Sequence, residues 1–202
     1  MPDCEGRMLT SFYDPSELLE MDFNSLGKNV RLSRKASFYN PSGISIGDFS
    51  RIDDFCVLSA GAGGIEIGRN VHIAVYTSLI GQGKIQIGNF SNLSSRVAVY
   101  SSNDDYSGEY LTNPTVDSEF TNVTHAPVYI GKHVIIGAGS IVLPGVTIGE
   151  GVSVGALSLI NKDCEPFKIY VGVPAKAIKD RSRKLLDLEK QFLAKVQVHS
   201  GK

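Results

Sequence analysis

Residues 128–160, VYIGKHVIIGAGSIVLPGVTIGEGVSVGALSLI, carry an aliphatic side chain at every sixth position. The series is Ile130, Ile136, Val142, Ile148, Val154 and Ile160. Neither the helical period of 3.6 residues nor the strand period of 2 produces this spacing. A fixed repeat predicts a solenoid, here a prism with one short strand on each of three faces. Because no single turn can bury its own apolar side chains, each turn depends on its neighbours.

A second series of small or β-branched residues keeps the same spacing, and we expect it to share the interior of the prism. It comprises Val134, Ser140, Val146, Val152 and Ser158. Glycines follow the aliphatic positions, and they are predicted to form tight corners because glycine has the widest choice of φ. These glycines are Gly131, Gly137, Gly149 and Gly155.

The aliphatic-glycine unit also occurs upstream, starting at Leu26 and recurring at Ile46, Ile67 and Ile87. The upstream units are 20 or 21 residues apart, whereas Ile130 and Ile148 are 18 apart. The extra residues fall in glycine-rich bulges, which let a corner swell without breaking the stack. The sequence therefore predicts a β-helix over residues 26–161.

One interval of 43 residues, from Ile87 to Ile130, is too long for a single turn. The excess is residues 103–126, NDDYSGEYLTNPTVDSEFTNVTHA, which lack the repeat. We expect an inserted loop here, and a long loop on a rigid scaffold is a common place for function.

Helices are predicted at both ends of the chain. Residues 1–25 form an N-terminal cap in which Asp14 precedes Pro15 at the start of a short helix that plugs the first turn. Residues 162–202 form an exit segment and an amphipathic helix from Ser182 to Val196. This helix is expected to cover the open end of the prism or a neighbouring subunit.

Composition narrows the class of protein. The 202-residue chain has a net charge of −1, which argues against nonspecific nucleic-acid binding. It has no apolar run long enough for a membrane span and no signal-peptide pattern, so we expect a cytoplasmic protein. The three cysteines, Cys4, Cys56 and Cys164, lack metal-binding spacing, and Cys56 is predicted to be a small buried residue.

The hexapeptide turns, the segment IGKHVIIGAGSIVLPGVTIGEG and the exit YVGVPAKAIKD resemble the left-handed β-helix acyltransferases, in particular bacterial sugar O- and N-acetyltransferases. The resemblance covers about residues 26–180. It implies an all-β, left-handed parallel β-helix, a homotrimer with active sites between neighbouring prisms, and acetyl-CoA as donor. It also implies a sugar or nucleotide-sugar acceptor.

Similar enzymes often carry a histidine in a Gly-His-Pro corner at the start of the loop, and Asp104 occupies that place here. A carboxylate is a weaker base than an imidazole. His72, at an outward strand position, is therefore predicted to act as the base across the subunit interface, oriented by Asp104 or Asp105 of a neighbour. His125 is an alternative base, and Asp104 is another if the acceptor is an amine. His133 is expected to pack rather than react.

The remaining loop residues are candidates for acceptor contacts, although Asn and Asp also form turns readily. The predicted substrate-binding residues are Asn103, Tyr106, Tyr110 and His125. Small residues on the last turns would let a pantetheine arm lie flat, and nearby lysines would meet the CoA phosphates. The predicted donor-binding residues are Ala138, Gly139, Ala156, Lys162, Lys176 and Lys179.

Together these observations predict an acetyl-CoA-dependent acetyltransferase that modifies a hydroxyl or amino group of a sugar or sugar nucleotide, in surface-polysaccharide biosynthesis. No metal is expected, because His72, His125 and His133 have no close-spaced pair on neighbouring turns. The alternative is a non-catalytic β-helix that serves as a scaffold or subunit.

Overall fold

Residues 11–200 are described by the structure, a computed structural model, with side chains to residue 196; Cys4 lies outside this range. Three parallel sheets form the faces of a prism. The first face contains β1 (Ser25–Leu26), β4 (Ile44–Ile46), β7 (Ile65–Ile67), β10 (Ile85–Ile87), β15 (Val128–Ile130) and β18 (Thr147–Ile148).

The second face contains β2 (Arg31–Leu32), β5 (Arg51–Ile52), β8 (His72–Ile73), β11 (Asn92–Leu93), β16 (Ile135–Ile136), β19 (Ser153–Val154), β21 (Lys168–Val171) and β22 (Lys176–Asp180). The third contains β3 (Ser37–Tyr39), β6 (Val57–Ala60), β9 (Ser78–Gly81), β12 (Ala98–Tyr100), β17 (Ile141–Val142) and β20 (Leu159–Ile160). All pairs within these sheets are parallel except β21 with β22.

The repeated aliphatic residues stack in columns along the interior. Ile67 pairs in register with Ile46 on one side and Ile87 on the other, and Ile130 follows Ile87. Each is at most 4% exposed. Backbone hydrogen bonds join successive coils at the corner, as from Gly68 N to the Ile87 carbonyl at 2.8 Å. The six-residue period thus places one side chain of each segment in a continuous core.

Glycine is required at the corners for space rather than for backbone freedom. A Cβ at Gly131 would lie 2.7 Å from the backbone nitrogen of Glu150, and one at Gly137 would lie 2.4 Å from that of Ala156. Left-handed φ values occur two residues after the corner glycine instead, at 60° for Phe90 and 59° for His133. The expectation that Gly131, Gly137, Gly149 and Gly155 supply φ freedom is therefore wrong, because close contact between coils is what excludes a side chain.

The insertion leaves the prism after β12 through a paired stem. β13 (Ser102–Asn103) and β14 (Thr124–His125) are antiparallel, with Ser102 opposite His125. Between them lie a bridge from Leu111 to Thr121 and a 3₁₀ helix, Ser118–Phe120. The stem fixes the loop root against the third face.

The N-terminal helix α1 (Pro15–Leu19) begins after Asp14, whose backbone N–H donates to the Glu17 carboxylate at 2.7 Å. Leu18 of this helix is buried in the core cluster of the prism. The chain therefore closes the first turn with a helix, as the sequence indicates.

The C-terminal helix α2 (Lys184–Ser200) packs beside the prism rather than over its open end. Glu189 accepts hydrogen bonds from Lys132 Nζ at 2.7 Å and His133 Nε2 at 2.8 Å, and Phe192 contacts Phe90 edge to face. The prediction that this helix covers the end of its own prism is wrong, because its partners lie on the corner between the first and second faces. His133, only 9% exposed, has the packing role that was expected.

Replacing Glu189 with glutamine should weaken docking of α2 by about 1.5–3 kcal/mol, the range for hydrogen bonds to charged groups. Burial opposes ionisation, but the bonds from Lys132 and His133 prevail and hold the pKa of Glu189 below its ordinary value. A carboxylate whose pKa is lower in the folded than in the unfolded state stabilises the fold at pH values above the unfolded-state pKa. This stabilisation is lost as pH falls through the folded-state pKa. Hydrogen exchange of α2 in the wild-type protein should therefore accelerate only in acid, whereas in Glu189→Gln it should already be faster at neutral pH.

The matched control is Asp187→Asn, because Asp187 on the same helix makes only an exposed ion pair with Lys190 at 3.6 Å. Such pairs contribute about 0–1 kcal/mol. Equal hydrogen exchange in the two variants at neutral pH would contradict the assigned anchor.

Candidate active site

Two cavities lie on either side of the loop stem. The first, of about 480 Å³, lies between the loop and the earlier coils and is called the loop cavity. Its lining combines polar residues with the apolar Ile80, Pro114, Val116 and Val123. The polar residues include Gln82, Ser102, Asp104, Asn113, Thr121 and His125. The second, of about 570 Å³, faces the later coils and is called the coil cavity. It is lined by Tyr100, Ser102, Asn103, Asp104, Tyr106, Ile141, Leu143 and Leu159.

Asp104 lies at the boundary, because it and Ser102 line both cavities. Its side chain is exposed and has no hydrogen-bond or ion-pair partner among residues 11–196. An exposed carboxylate of this kind can accept a proton from a group bound in either cavity. Of the predicted catalytic residues, Asp104 is the one whose position suits proton transfer.

The neighbouring carboxylate of Asp105 is occupied by its own turn. It accepts from the backbone N–H of Ser107 at 3.0 Å, from the Ser107 hydroxyl at 2.8 Å and from the Gly108 N–H at 3.1 Å. Asp105 lines neither cavity. The prediction of a catalytic role for Asp105 is therefore replaced by a turn-forming role, which the sequence had left open.

His72 lies on the second face, away from the loop stem. Its Nε2 is 2.8 Å from Asp53 Oδ2 and its Nδ1 is 2.9 Å from Asn92 Oδ1. Asp53 also accepts from Arg51 Nε at 2.5 Å. Both ring nitrogens thus have partners in the same chain, whereas the predicted pairing with Asp104 or Asp105 of a neighbouring subunit stays a prediction. The contacts to Asp53 and Asn92 compete with a substrate for the ring nitrogens.

His125 and two of the three remaining predicted acceptor residues line the cavities. His125 lies in the loop cavity, and Asn103 and Tyr106 lie in the coil cavity. Tyr110 is 45% exposed but lines neither, so its predicted contact has no support from the geometry. The hydroxyl of Ser102 accepts from the Gln82 N–H at 2.7 Å and lies 2.8 Å from His125 Nδ1.

The small residues predicted for the donor meet at one corner. Ala138 and Ala156 are exposed on successive coils, where the Leu157 N–H donates to the Ala138 carbonyl at 2.9 Å. Gly139 has a φ of 72°, and a Cβ there would lie 2.8 Å from Leu157 Cδ2. This corner leads directly into β17 and β20, which form the wall of the coil cavity.

The three predicted lysines are exposed and have no ion-pair partner within the described part of the chain. Of these lysines, Lys176 has the most direct link to the coil cavity. The N–H of the preceding residue, Ala175, donates to the carbonyl of Leu159, which lines that cavity, at 2.8 Å. Lys162 follows β20 by two residues, and Lys179 lies further along β22, opposite Ile169.

The apolar wall of the coil cavity was not predicted from the sequence. It is formed by Tyr100, Ile141, Leu143 and Leu159. The signal was present in the outward strand positions. On the second face the corresponding positions carry polar residues such as Arg51, His72 and Asn92, whereas β17 and β20 carry Ile141 and Leu159. An aliphatic residue at an outward position indicates a surface that something else covers.

Cys56 and Cys164 are buried, and burial raises the pKa of each thiol to about 11. They therefore lack the thiolate that a nucleophile needs. Within residues 11–200 there is no cluster of three or more His, Cys, Asp or Glu side chains suited to a metal ion. No helix in that range is both long and apolar enough to cross a membrane.

Comparison with known proteins agrees with this architecture. A family model described as bacterial transferase hexapeptide (six repeats) matches residues 127–162. The chain is 57% identical over 182 residues to the dTDP-4-amino-4,6-dideoxy-D-glucose acyltransferase of Escherichia coli, covering 90% of this chain and 95% of that protein.

Among solved structures, the N-acyltransferase AntD from Bacillus cereus, in complex with dTDP and 3-hydroxybutyryl-CoA, superposes with a TM-score of 0.89. It is 49% identical, and the match covers 94% of this chain and all of that one. A maltose O-acetyltransferase from Clostridium difficile 630 gives a TM-score of 0.56 at 24% identity, covering 83% of this chain and 75% of that one, and supports the fold alone.

These findings confirm three predictions: a left-handed β-helix, acyltransferase activity toward a sugar or sugar nucleotide, and a CoA thioester as co-substrate. The alternative of a non-catalytic scaffold gains no support. Because a relative that is 57% identical spans nine-tenths of the sequence, the chain belongs to the left-handed β-helix, hexapeptide-repeat acyltransferase family.

Proposed function

We propose that this enzyme transfers an acyl group from a CoA thioester to the 4-amino group of dTDP-4-amino-4,6-dideoxyglucose, in surface-polysaccharide biosynthesis. The names of the Escherichia coli relative and of the AntD complexes supply the acceptor class. The observation that carries the proposal is Asp104, a carboxylate without a partner among the described side chains, at the boundary between the loop cavity and the coil cavity.

The lining of each cavity indicates which substrate it takes. The coil cavity, with aliphatic and aromatic walls and the Ala138–Ala156 corner beside it, suits the pantetheine arm and the acyl group. The loop cavity, which presents hydroxyl, amide and imidazole groups beside apolar residues such as Val116, suits a sugar nucleotide. Placing the two reactants on opposite sides of one stem supplies the proximity that acyl transfer needs.

Asp104 then acts as the base. The neutral amine attacks the thioester carbonyl carbon, a C–N bond forms, and Asp104 accepts the proton that the nitrogen loses. Collapse of the tetrahedral intermediate breaks the C–S bond. The sulfur leaves with the proton from Asp104, so the products are an amide and free CoA, and the carboxylate is regenerated. An amine that is partly neutral near pH 7 needs less help from a base than a hydroxyl would.

Lys176 and Lys162 are proposed to contact the CoA phosphates, because both are unpaired within residues 11–196 and both follow the coil that carries Leu159. Charge-assisted contacts to phosphate are stronger than neutral hydrogen bonds. Lys179 remains a candidate at the far end of the same strand.

A homotrimer is also proposed. The outward residues of the third face include Val57, Ile80, Ala98 and Ile141, an apolar surface that a second chain would cover. Trimerisation would place a neighbour's wall against the open side of the coil cavity. A cytoplasmic location is consistent with Cys56 and Cys164, which are unpaired as in a reducing compartment.

Incubation with acetyl-CoA and dTDP-4-amino-4,6-dideoxyglucose should give a product heavier by one acetyl group, together with one equivalent of free thiol. The matched acceptor is the dTDP sugar with a hydroxyl in place of the 4-amino group, which should react at least about 100-fold more slowly, since its oxygen needs a stronger base. The same preparation should sediment as a trimer. Faster transfer to the hydroxyl sugar would contradict the proposed amine acceptor. Sedimentation as a monomer would contradict the proposed trimer.

A further inference from the structure

A chain of hydrogen bonds at the loop stem reaches the imidazole of His125. The backbone N–H of Gln82, on the neighbouring coil, donates to Ser102 Oγ at 2.7 Å. Ser102 Oγ in turn lies 2.8 Å from His125 Nδ1. The two residues are paired across the stem, because Ser102 lies opposite His125 in the antiparallel ladder.

This chain favours one tautomer of the His125 ring. A serine hydroxyl has one hydrogen to donate, and the bond from Gln82 already uses one of its lone pairs. Among residues 11–196, His125 Nδ1 is the one acceptor within hydrogen-bond distance of that hydroxyl. With the Ser102 hydrogen donated to Nδ1, that nitrogen accepts through its lone pair and the proton of the neutral ring lies on Nε2.

The coil beneath the stem allows little rearrangement of this geometry. Gly81 has a φ of 142°, and a Cβ there would lie 2.3 Å from Ser101 Oγ. A Cβ at Gly83 would lie 2.7 Å from the carbonyl oxygen of Ala126, next to His125. The stem thus lies directly on the backbone of the preceding coil, which holds Ser102 at the Gln82 amide.

We propose that His125 is a specificity-determining residue that donates its Nε2–H to an oxygen of the acceptor sugar nucleotide, with Ser102 setting the tautomer. The inference rests on the proposed assignment of the loop cavity to the acceptor, since His125 and Asp104 both line that cavity. In this tautomer Nε2 has no lone pair, so His125 cannot take the proton of the amine. The carboxylate of Asp104 thus contacts the acceptor nitrogen, and the imidazole of His125 contacts an acceptor oxygen.

Three substitutions at His125 test this assignment by rescue. Glutamine places an amide N–H near the position of Nε2, asparagine places one near Nδ1, and alanine places none. We expect His125→Ala and His125→Asn to raise the KM for the amino sugar nucleotide about 5- to 10-fold, and His125→Gln to raise it no more than about 2-fold, as the loss of one neutral hydrogen bond requires. The KM for acetyl-CoA and kcat should change less than about 3-fold.

Ser102→Ala provides the second variant, and it should raise the acceptor KM about 2- to 5-fold, because the tautomer is no longer fixed. Glu109→Gln, an exposed change on the same loop outside both cavities, is the control and should match the wild type. Calorimetry with dTDP and with the amino sugar nucleotide locates the acceptor oxygen that His125 contacts. If His125→Ala binds both ligands more weakly, the oxygen is on the nucleotide. If it binds only the sugar nucleotide more weakly, the oxygen is on the sugar.

Two results would overturn the inference. One is a fall in kcat of about 100-fold or more in His125→Gln with loss of the acidic limb of the pH profile, which would make His125 the base. The other is unchanged affinity of His125→Ala for both ligands in calorimetry. Absence of any transfer by the wild-type enzyme would instead refute the proposed function, while the calorimetric comparison would still decide whether His125 binds the nucleotide.

Discussion

Replacement of Asp104 by asparagine is expected to lower kcat by about 10²- to 10⁴-fold, the usual contribution of a general base. Asparagine keeps the shape of the side chain but cannot accept the proton that the amine loses on acylation. The KM values for acetyl-CoA and for the amino sugar nucleotide should change little, because the walls of both cavities remain. Steady-state kinetics with dTDP-4-amino-4,6-dideoxyglucose would measure all three quantities.

The neighbouring Asp105→Asn is the matched control, since that carboxylate is occupied by Ser107 and Gly108 and lines neither cavity. It should retain kcat within about 5-fold, with any loss arising from a looser turn. His72→Ala should also retain most activity, because the ring is held by Asp53 and Asn92 on another face. If His72→Ala were the more damaging change, the assignment of Asp104 as the base would be wrong.

Ile136→Asp should prevent folding. Ile136 is fully buried and lies in register between Leu93 and Val154 on the coils above and below. The substitution forfeits roughly 1.5–3 kcal/mol of apolar burial. It also places a carboxylate in an interior without a cationic partner, at a cost of several kcal/mol per ion. The sum is comparable with the 5–15 kcal/mol by which ordinary domains are stable.

The adjacent Ile135→Asp makes the same chemical change on the outer surface, where Asn92 and Ser153 are its neighbours in the sheet. It should keep a cooperative thermal transition by circular dichroism, whereas Ile136→Asp should show none in the soluble fraction. Cooperative unfolding of Ile136→Asp at the wild-type temperature would refute the inward placement of the repeat.

The sequence alone determined the coils, because the six-residue period is local. Ile136, Val142 and Ile148 each follow the previous aliphatic residue by six positions, and only an inward position on every face satisfies that pattern. The insertion was visible for the same reason, as an interruption between Ile87 and Ile130. The burial of Cys56 likewise followed from its position in the repeat.

Only the tertiary structure decided the partners of polar side chains, since those partners lie about one coil away in the sequence. Asp53 and Asn92 meet His72 from coils 19 and 20 residues away, and Ser102 meets His125 across 23 residues. The sequence does not distinguish the roles of Asp104 and Asp105. In the structure the carboxylate of Asp105 closes a turn, whereas that of Asp104 faces two cavities. A repeat specifies where each backbone segment lies, whereas hydrogen bonds depend on which side chains stacking brings within about 3 Å.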